Sequence, residues 1–568
     1  MAVENLITEH IDIWTSAVKA RSTSGRGSSK KLELYGVKKL RELILELAVR
    51  GKLVPQNPND EPASFLLQRI SEEKTQLIKE KKITKPKKLP AIKKQDITFA
   101  LPEGWQACYF GDIYSLVYGD NLPKAKRTES GEFLVYGSNG SVGTHNLFSV
   151  GSPCLVIGRK GSAGAINLSD QPCWVTDVAY SLIPPVGISL KYCFLHLQTL
   201  GLDSLGKGIK PGLNRNEANA LVVCIPPSDE QHRIVAKVDE LMALCDQLEQ
   251  QTEASIEAHQ VLVTTLLDTL TNSADADELM QNWARISEHF DTLFATEESI
   301  DQLKQTILQL AVMGKLVPQD PTDEPASELL KRITEEKAQL VKENKIKKQK
   351  ALPPISEDEK PFELPNGWEW CRVGSISNLK GGFAFKSKDF VTNSIYQVIR
   401  MGNIRPDNLR LSESPAYIPQ QIAEEAKDYK LVSGDILLTM TGTKGKRDYL
   451  YSLLINEKDI VSNQLFLNQR LCNIQPIFVA PSFVNMVIKA DIVLDAIFTK
   501  STGTANQANI SMDAIKNWVL PVAPLAEQHR INDMVNELMD VCDHIKTRLV
   551  DLQATQLKLT DTIIEQAV

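Results

Sequence analysis

The sequence predicts a mixed α/β (α+β) chain with an internal pseudo-twofold repeat, in which two variable domains are separated by long helices forming an antiparallel coiled coil. Three observations predict it. Lys38–Trp105 and Asp301–Trp368 are nearly the same text: Gly51 and Trp105 recur as Gly314 and Trp368, each 263 residues on. A second pair of segments recurs at an offset of 297, Glu230 matching Glu527, and each opens a run of apolar residues at heptad spacing. Between the repeated parts lie two strand-and-turn stretches of unlike sequence.

Each copy opens with helices. Ile7–Asp12 resembles Ile286–Asp291, after which the first copy carries about 16 extra residues rich in Ser, Gly and Lys, read as a flexible loop. Leu40, Leu43, Ile44, Leu47 and Ala48 recur at helical spacing. Gly51 suits that helix's C-terminus, and Pro55 and Pro58 prevent its resumption. A second helix runs from Glu61 to about Lys82. The lysine-rich stretches that follow (Lys79–Lys94, Lys342–Lys350) are too charged to pack; they read as solvated linkers able to grip phosphates.

Short β-rich runs (Phe133–Tyr136, Cys154–Ile157, Asp435–Thr439) separated by Gly, Asn and Ser turns mark the variable domains. The second is longer by 34 residues, the difference between the two offsets. A long helix closes each copy. Ile531, Leu538, Ile545, Leu552 and Leu559 recur every seventh residue, with Val535, Cys542, Leu549 and Ile563 on the other seam and Gln556 interrupting. Ile234, Leu241, Leu248 and Leu262, with Val238, Cys245 and Leu266, keep that register, Ser255 being the lapse. Sustained apolar a and d positions predict a coiled coil of about 38 residues per helix, roughly 57 Å long. Antiparallel packing would place the variable domains at opposite ends. The expected segments are a helical region over 1–100, a variable domain over 101–229 and a long helix over 230–271. A second helical region over 272–363, a variable domain over 364–526 and a long helix over 527–568 follow.

At 568 residues the chain is too long for one core, and its 42% hydrophobic and 24% charged residues are ordinarily globular. A formal charge of −7 does not advertise a nucleic-acid binder, although acidic helices can mask local basic patches. Nine cysteines without CxxC spacing indicate neither zinc nor a disulfide framework; free thiols in a cytoplasmic protein are expected. The acidic N-terminus is not a signal peptide, and no run of about 18 apolar residues predicts a membrane span.

The LPxGW motif leading into each variable domain (Leu101–Trp105, Leu364–Trp368), the P-x-x-EQHRI motif leading out (Pro227–Ile234, Pro524–Ile531) and the long helices resemble the specificity subunits of type I restriction-modification systems. The resemblance covers nearly the whole chain. It implies that the variable parts are target recognition domains, each reading one half of a bipartite DNA site, with the helices fixing the spacer. It further implies two methyltransferase subunits bound to this scaffold and, for restriction, motor-nuclease subunits; two identical partners need two equivalent sites, so the repeated helices are their expected docking surfaces. S-adenosylmethionine would then belong to the methyltransferase, ATP and Mg²⁺ to the motor-nuclease, and no cofactor to this chain. Two modules on such a scaffold can enter major grooves about one helical turn, roughly 34 Å, apart. Because they differ in sequence, the site would be asymmetric.

Direct readout needs Arg or Lys for guanine and Asn or Gln for adenine, on loops stiff enough to hold bidentate geometry. In the first variable domain the candidates are Lys124, Lys126, Arg127, Tyr136, Ser138, Asn139, Arg159, Lys160, Lys207, Lys210, Asn214 and Arg215. The glycines at 158, 161 and 164 would let backbone approach a phosphate. In the second they are Lys386, Lys388, Arg400, Asn403, Thr441, Thr443, Lys444, Lys446, Arg447, Lys500, Asn506 and Gln507. The loop around Arg159 and Lys160 pairs loosely with Thr441–Arg447. For any one of these side chains a solvated surface role competes with DNA contact.

Trp105 and Trp368 read as core anchors rather than base-stacking platforms, and His232 and His529 as helix caps or partner contacts rather than catalysts. Glu230 and Glu527 suit the first turn of a helix through its dipole. No Asn/Asp-Pro-Pro-aromatic methyltransferase motif and no GxxxxGK[ST] phosphate loop is present. Pro406-Asp407 with Asp428-Tyr-Lys430 loosely matches a nuclease metal motif but is short and degenerate. The chain is therefore expected to be non-catalytic.

Overall fold

The structure, a computed structural model, describes residues 3–21, 31–83, 89–205, 212–406, 408–503 and 506–568. The Ser/Gly/Lys-rich loop (22–30) and part of the first basic linker (84–88) lie outside them. Six helices frame the chain: α1 (Tyr35–Val49), α2 (Ala63–Lys79), α3 (Ser228–Thr271), α4 (Glu297–Val312), α5 (Ala326–Lys342) and α6 (Leu525–Ala567). The repeat is visible atom by atom at their ends. After α1, Gly51 adopts φ +67°, its N–H bonds to the Ala48 carbonyl, and the Lys52 N–H reaches back to Leu47. After α4, Gly314 at φ +68° and Lys315 make the same two bonds to Ala311 and Leu310. This double bond satisfies otherwise orphaned helix carbonyls, and its left-handed residue favours glycine.

The chain divides into two units, one holding the N-terminal helices, Lys30–Ala254 and Gln553–Val568, the other Ser255–Leu552. In the first unit, Tyr35 and Arg50 of the α1 region bond to Asp561 and the Val568 carbonyl, so the end of α6 runs parallel to α1. Arg41 pairs with Glu249 and Gln56 with Glu230, so the start of α3 runs antiparallel to it. In the second unit the end of α3 runs parallel to α4 (Gln260 to Glu298, Gln302 to Thr264), while the start of α6 runs antiparallel (Lys304 with Asp543, Lys546 with Asp301). Within each unit, then, the two long helices are antiparallel, as the sequence predicts, with a repeated helix packed against both.

The heptad seam holds only over the first half of each long helix. Leu262, Leu552 and Leu559 are exposed, while Val263, Leu267, Leu270 and Thr560 are buried. The reason is helical geometry. Eight turns at about 3.6 residues take about 29 residues, and Ile234, Val238 and Leu241 lie 29 residues before Val263, Leu267 and Leu270. Ile531 likewise precedes Thr560 by 29. The buried positions therefore recur at the α-helix's own period, from which a strict seven-residue repeat drifts by about 20° per heptad.

The two variable domains share one topology beneath unlike sequences. The first contains β1 (Gln106–Tyr109), β2 (Val117–Tyr118), β3 (Phe133–Gly137), β4 (Cys154–Gly158), β5 (Ile166–Ser169), β6 (Trp174–Val175), β7 (Ala179–Leu182) and β8 (Val222–Ile225), of which four form an antiparallel sheet in the order β2-β7-β4-β5. Apart from that sheet, β3 pairs parallel with β6 and antiparallel with an added strand over Gly140–His145, and β1 pairs antiparallel with β8. In the second, β9 (Glu369–Arg372), β10 (Ser377–Gly381), β11 (Tyr396–Ile399), β12 (Ile436–Thr439), β13 (Ser452–Leu454), β14 (Gln464–Leu467), β15 (Leu471–Pro476) and β16 (Val519–Val522) repeat the arrangement. The sheet order is β10-β15-β12-β13, with β11/β14 parallel and β9/β16 antiparallel. The central strands β4 and β12 are wholly buried, which explains their unbroken apolar sequence.

Polar side chains tie each domain to its frame. The Trp105 Nε1–H donates to Glu230 Oε2 at 3.0 Å and Gln56 Nε2 donates to Oε1 at 2.9 Å; Trp368, Gln319 and Glu527 repeat the pattern at 3.1 and 3.3 Å. Arg233 pairs with Asp60 at 2.5 Å and Arg530 with Asp323 at 2.6 Å. Lys74 donates to the Gly111 and Tyr114 carbonyls, and Lys337 to those of Gly374 and Ser377. The two tryptophans are thus buried anchors, and the two glutamates accept side-chain bonds rather than only facing a helix dipole. His232 and His529 are exposed and make no capping bond among the described residues. All nine cysteines are unpaired and buried. No helix among the described residues is long and apolar enough to cross a membrane.

Candidate nucleic-acid interface

In the first variable domain, three of the candidate loops converge where β3, β4 and β7 end or begin. The Arg159 and Lys160 N–H groups both donate to the Val178 carbonyl, Lys160 bridges Gly212, and the Leu213 N–H donates to the Arg159 carbonyl. A Cβ on Gly158 would lie 2.3 Å from the Ser138 carbonyl oxygen and 2.0 Å from that of Ser162, so only glycine lets these backbones approach. The loops around Ser138, Arg159 and Arg215 are therefore one surface.

Tyr118, which the sequence reading missed, organises that surface. Its half-exposed ring lies under two guanidinium groups, Arg159 at 4.9 Å and Arg215 at 5.1 Å from the centroid, and packs 5.0 Å from the Tyr180 ring. Tyr180 in turn donates to the Leu213 carbonyl. Burial, first, and the neighbouring Tyr118 hydroxyl push the Tyr180 hydroxyl up to about 12, so it stays a donor. Two arginines held against one aromatic ring are pre-aimed cations, suited to a base edge or a phosphate pair.

Other first-domain candidates differ in freedom. Lys124, Lys126 and Asn139 are exposed, and Ser138 is half-buried. Arg127 donates to the Leu122 carbonyl and Asn214 caps the short helix that begins at Arg215, accepting from the Asn216 N–H. Tyr136 is buried in β3, its hydroxyl spent on the Leu168 carbonyl, so it supports the loops rather than projecting from them. Lys207 and Lys210 lie outside the described residues.

The second domain gathers topologically matching loops. Thr441, just after β12, pairs with Asn509 as Lys160 after β4 pairs with Gly212. Lys386, Lys388, Lys444, Lys500, Asn506 and Gln507 are exposed and Lys446 is half-buried. Several candidates are engaged internally. Thr441 is buried and donates to Asn509 Oδ1; Thr443 bonds Asp448 through both its N–H and hydroxyl. Arg447 is paired with Asp491 and Asp495 and stacks 5.3 Å from the Phe498 ring. Asn403 is 2% exposed, its amide spent on the Arg400 N–H and on the Arg410 and Glu413 carbonyls. These four were candidates for DNA contact; neighbouring side chains claim Thr441, Thr443 and Arg447, and loop backbone claims Asn403.

Arg400 donates to the Ser414 carbonyl and lines a cavity of about 610 Å³ with Arg405, Asn468, Gln469 and Arg470. The last four carried no expectation from sequence. Asp407 of the nuclease-like pattern lies outside the described residues, and Asp428 offers its backbone carbonyl to Lys380.

With this geometry in view, the chain matches the family described as type I restriction modification DNA specificity domain over residues 102–258 and 365–553. It is 40% identical to the specificity subunit of the type I restriction enzyme EcoEI and 41% identical to that of EcoAI, both from Escherichia coli, in each case across the whole of both chains. A crystal structure of the HsdS subunit from Thermoanaerobacter tengcongensis is 14% identical, covering 83% of this chain and 98% of that one, with a TM-score of 0.38. Two family-matched regions and full-length identity of this degree place the chain among the specificity subunits of type I restriction-modification systems, whose role is DNA sequence recognition.

Proposed function

We propose that this subunit reads a bipartite, asymmetric DNA site, one variable domain per half, and scaffolds two methyltransferase subunits without catalysing a reaction itself. The observation that supports the reading is the shared strand order of the two domains, in which the loops after β4 and β12, unlike in sequence, occupy matching points of the fold. One frame with two sets of side chains is what two unlike half-sites require. The exposed candidates and the Tyr118 platform would supply base and phosphate contacts. S-adenosylmethionine would be held by the methyltransferase subunits, and ATP and Mg²⁺ by motor-nuclease subunits when they join for restriction.

The repeated helices are the proposed docking surfaces, because two identical partners need two equivalent sites. The experiment is to express the chain with its methyltransferase subunits and sequence the methylated DNA. Two adenines within one split motif are expected; methylation without a split motif, or by this chain alone, contradicts the reading.

A further inference from the structure

The crossover from β6 to β7 in the first domain takes three residues, Thr176–Val178, and that from β14 to β15 in the second also takes three, Asn468–Arg470. The correspondence extends to their bonds. The Val178 carbonyl accepts the N–H of Arg159 after β4, and the Arg470 carbonyl accepts that of Met440 after β12. In the first domain this crossover sits amid the converging loops, with Thr176 bonded to the Tyr136 carbonyl. The second domain places Asn-Gln-Arg at the same point of the fold.

The Asn468–Arg470 backbone is pinned. The Asn468 N–H donates to the Ile399 carbonyl and the Gln469 N–H to that of Phe383. A Cβ on Gly382 would lie 1.9 Å from the Asn468 carbonyl oxygen, so the neighbouring chain approaches as closely as glycine allows. Arg470 adopts φ +70° and Ser414, across the same cavity, φ +50°, left-handed conformations that a non-glycine residue keeps only where the surrounding structure fixes its backbone.

The side chains are left free. Gln469 and Arg470 are exposed and have no side-chain hydrogen bond among the described residues. Three guanidinium groups (Arg400, Arg405, Arg470) line the cavity against one carboxylate, Glu413, which is already paired with Arg410 at 2.9 Å. The net charge suits an anionic polymer, and a glutamine beside an arginine on rigid backbone matches the bidentate edges of adenine and guanine.

We propose that Gln469 and Arg470 are the base-reading pair of the second variable domain, Arg470 on a guanine and Gln469 on an adenine, with Arg400 and Arg405 neutralising the flanking phosphates. This rests on the reading of that domain as a DNA reader. The test uses the full chain expressed with its methyltransferase subunits, sequencing of methylated sites, and duplex affinity across a salt series.

Arg470→Ala is expected to relax one G·C pair in one half-site only, formerly rejected sites gaining roughly tenfold or more. Gln469→Ala is expected to relax one A·T pair in the same half. Arg470→Lys, which keeps charge but loses the planar fork, should relax the motif less than alanine does, and Arg470→Gln covers the case in which the alanine variant folds poorly. An unchanged motif in the Gln469→Ala and Arg470→Ala variants, or affinity loss uniform across sequences, overturns the proposal. If the unsubstituted complex shows no split motif, the underlying DNA-reading assignment fails instead.

Discussion

The Trp105 indole donates to Glu230 Oε2 at 3.0 Å across 125 residues of sequence, joining the first strand's lead-in to the first turn of the long helix. The same carboxylate accepts from Gln56, so three repeated motifs meet at one buried group. Burial pushes the Glu230 carboxyl above its ordinary value, against the lowering effect of those two donors. Glu230→Ala leaves both donors without an acceptor and is expected to cost about 1–3 kcal/mol. Glu230→Gln should cost less, since its amide oxygen still accepts from Trp105 and Gln56 can turn its own amide. Urea unfolding monitored by tryptophan fluorescence checks the order.

Lys74 gives a pH signature. Burial lowers its ammonium from 10.5 to about 8, and Lys337 shifts likewise. Between those values the unfolded chain holds a proton that the folded chain has released, so this group's contribution to stability rises as pH rises from about 8 to about 10.5. Below about 8 both states are protonated and the contribution is flat. The stability difference between the parent chain and Lys74→Met should therefore move toward the parent over that window, by on the order of 2 kcal/mol at most. Comparing the two proteins removes the opposing effects of cysteines and tyrosines common to both. Urea midpoints at pH 8 and pH 10 decide it; no relative change contradicts the assignment.

Arg447 separates structural from DNA-facing charge. Its pairing with Asp491 and Asp495 and its stacking on Phe498 make it part of the domain's own surface network. Arg447→Ala should leave the salt dependence of DNA binding nearly unchanged. Lys444→Ala, at an exposed loop tip, should reduce the salt slope by about one. Affinity of the assembled complex measured across a salt series distinguishes them, and the reverse ranking refutes this division.

The Tyr118 platform predicts coupling. Tyr118→Ala frees both guanidinium groups from their shared ring and should weaken binding of the cognate half-site roughly tenfold, comparable to Arg159→Ala. Because the three side chains form one unit, the double variant should lose less than the product of the single effects. Multiplicative losses would mean that the ring does not position the arginines.

Much of the frame was legible in the sequence because it is written twice. The Gly51 and Gly314 caps, the buried tryptophans and the long helices follow from periodicity and recurrence. The seam beyond Ser255 was misread because a strict heptad count drifts off the α-helical period, which buries Val263 in place of Leu262. The site was less legible. Residue type alone cannot tell a free Lys444 from an Arg447 neutralised by two aspartates, or a loop-tip Asn506 from an Asn403 whose amide closes its own turn. Tyr118 and Arg470 were missed because strand order, which no local pattern carries, brings them to the candidate edge. The one available signal was compositional: Asn468-Gln469-Arg470 is a run of three base-reading side-chain types.

The central claim is that each domain reads its own half of one site. The most direct measurement is methylated-site sequencing of the complex carrying Arg159→Ala and Arg215→Ala together. The account predicts relaxed preference confined to one half of a split motif, with the other half and the spacer retained. Change in both halves, or in neither, would contradict it.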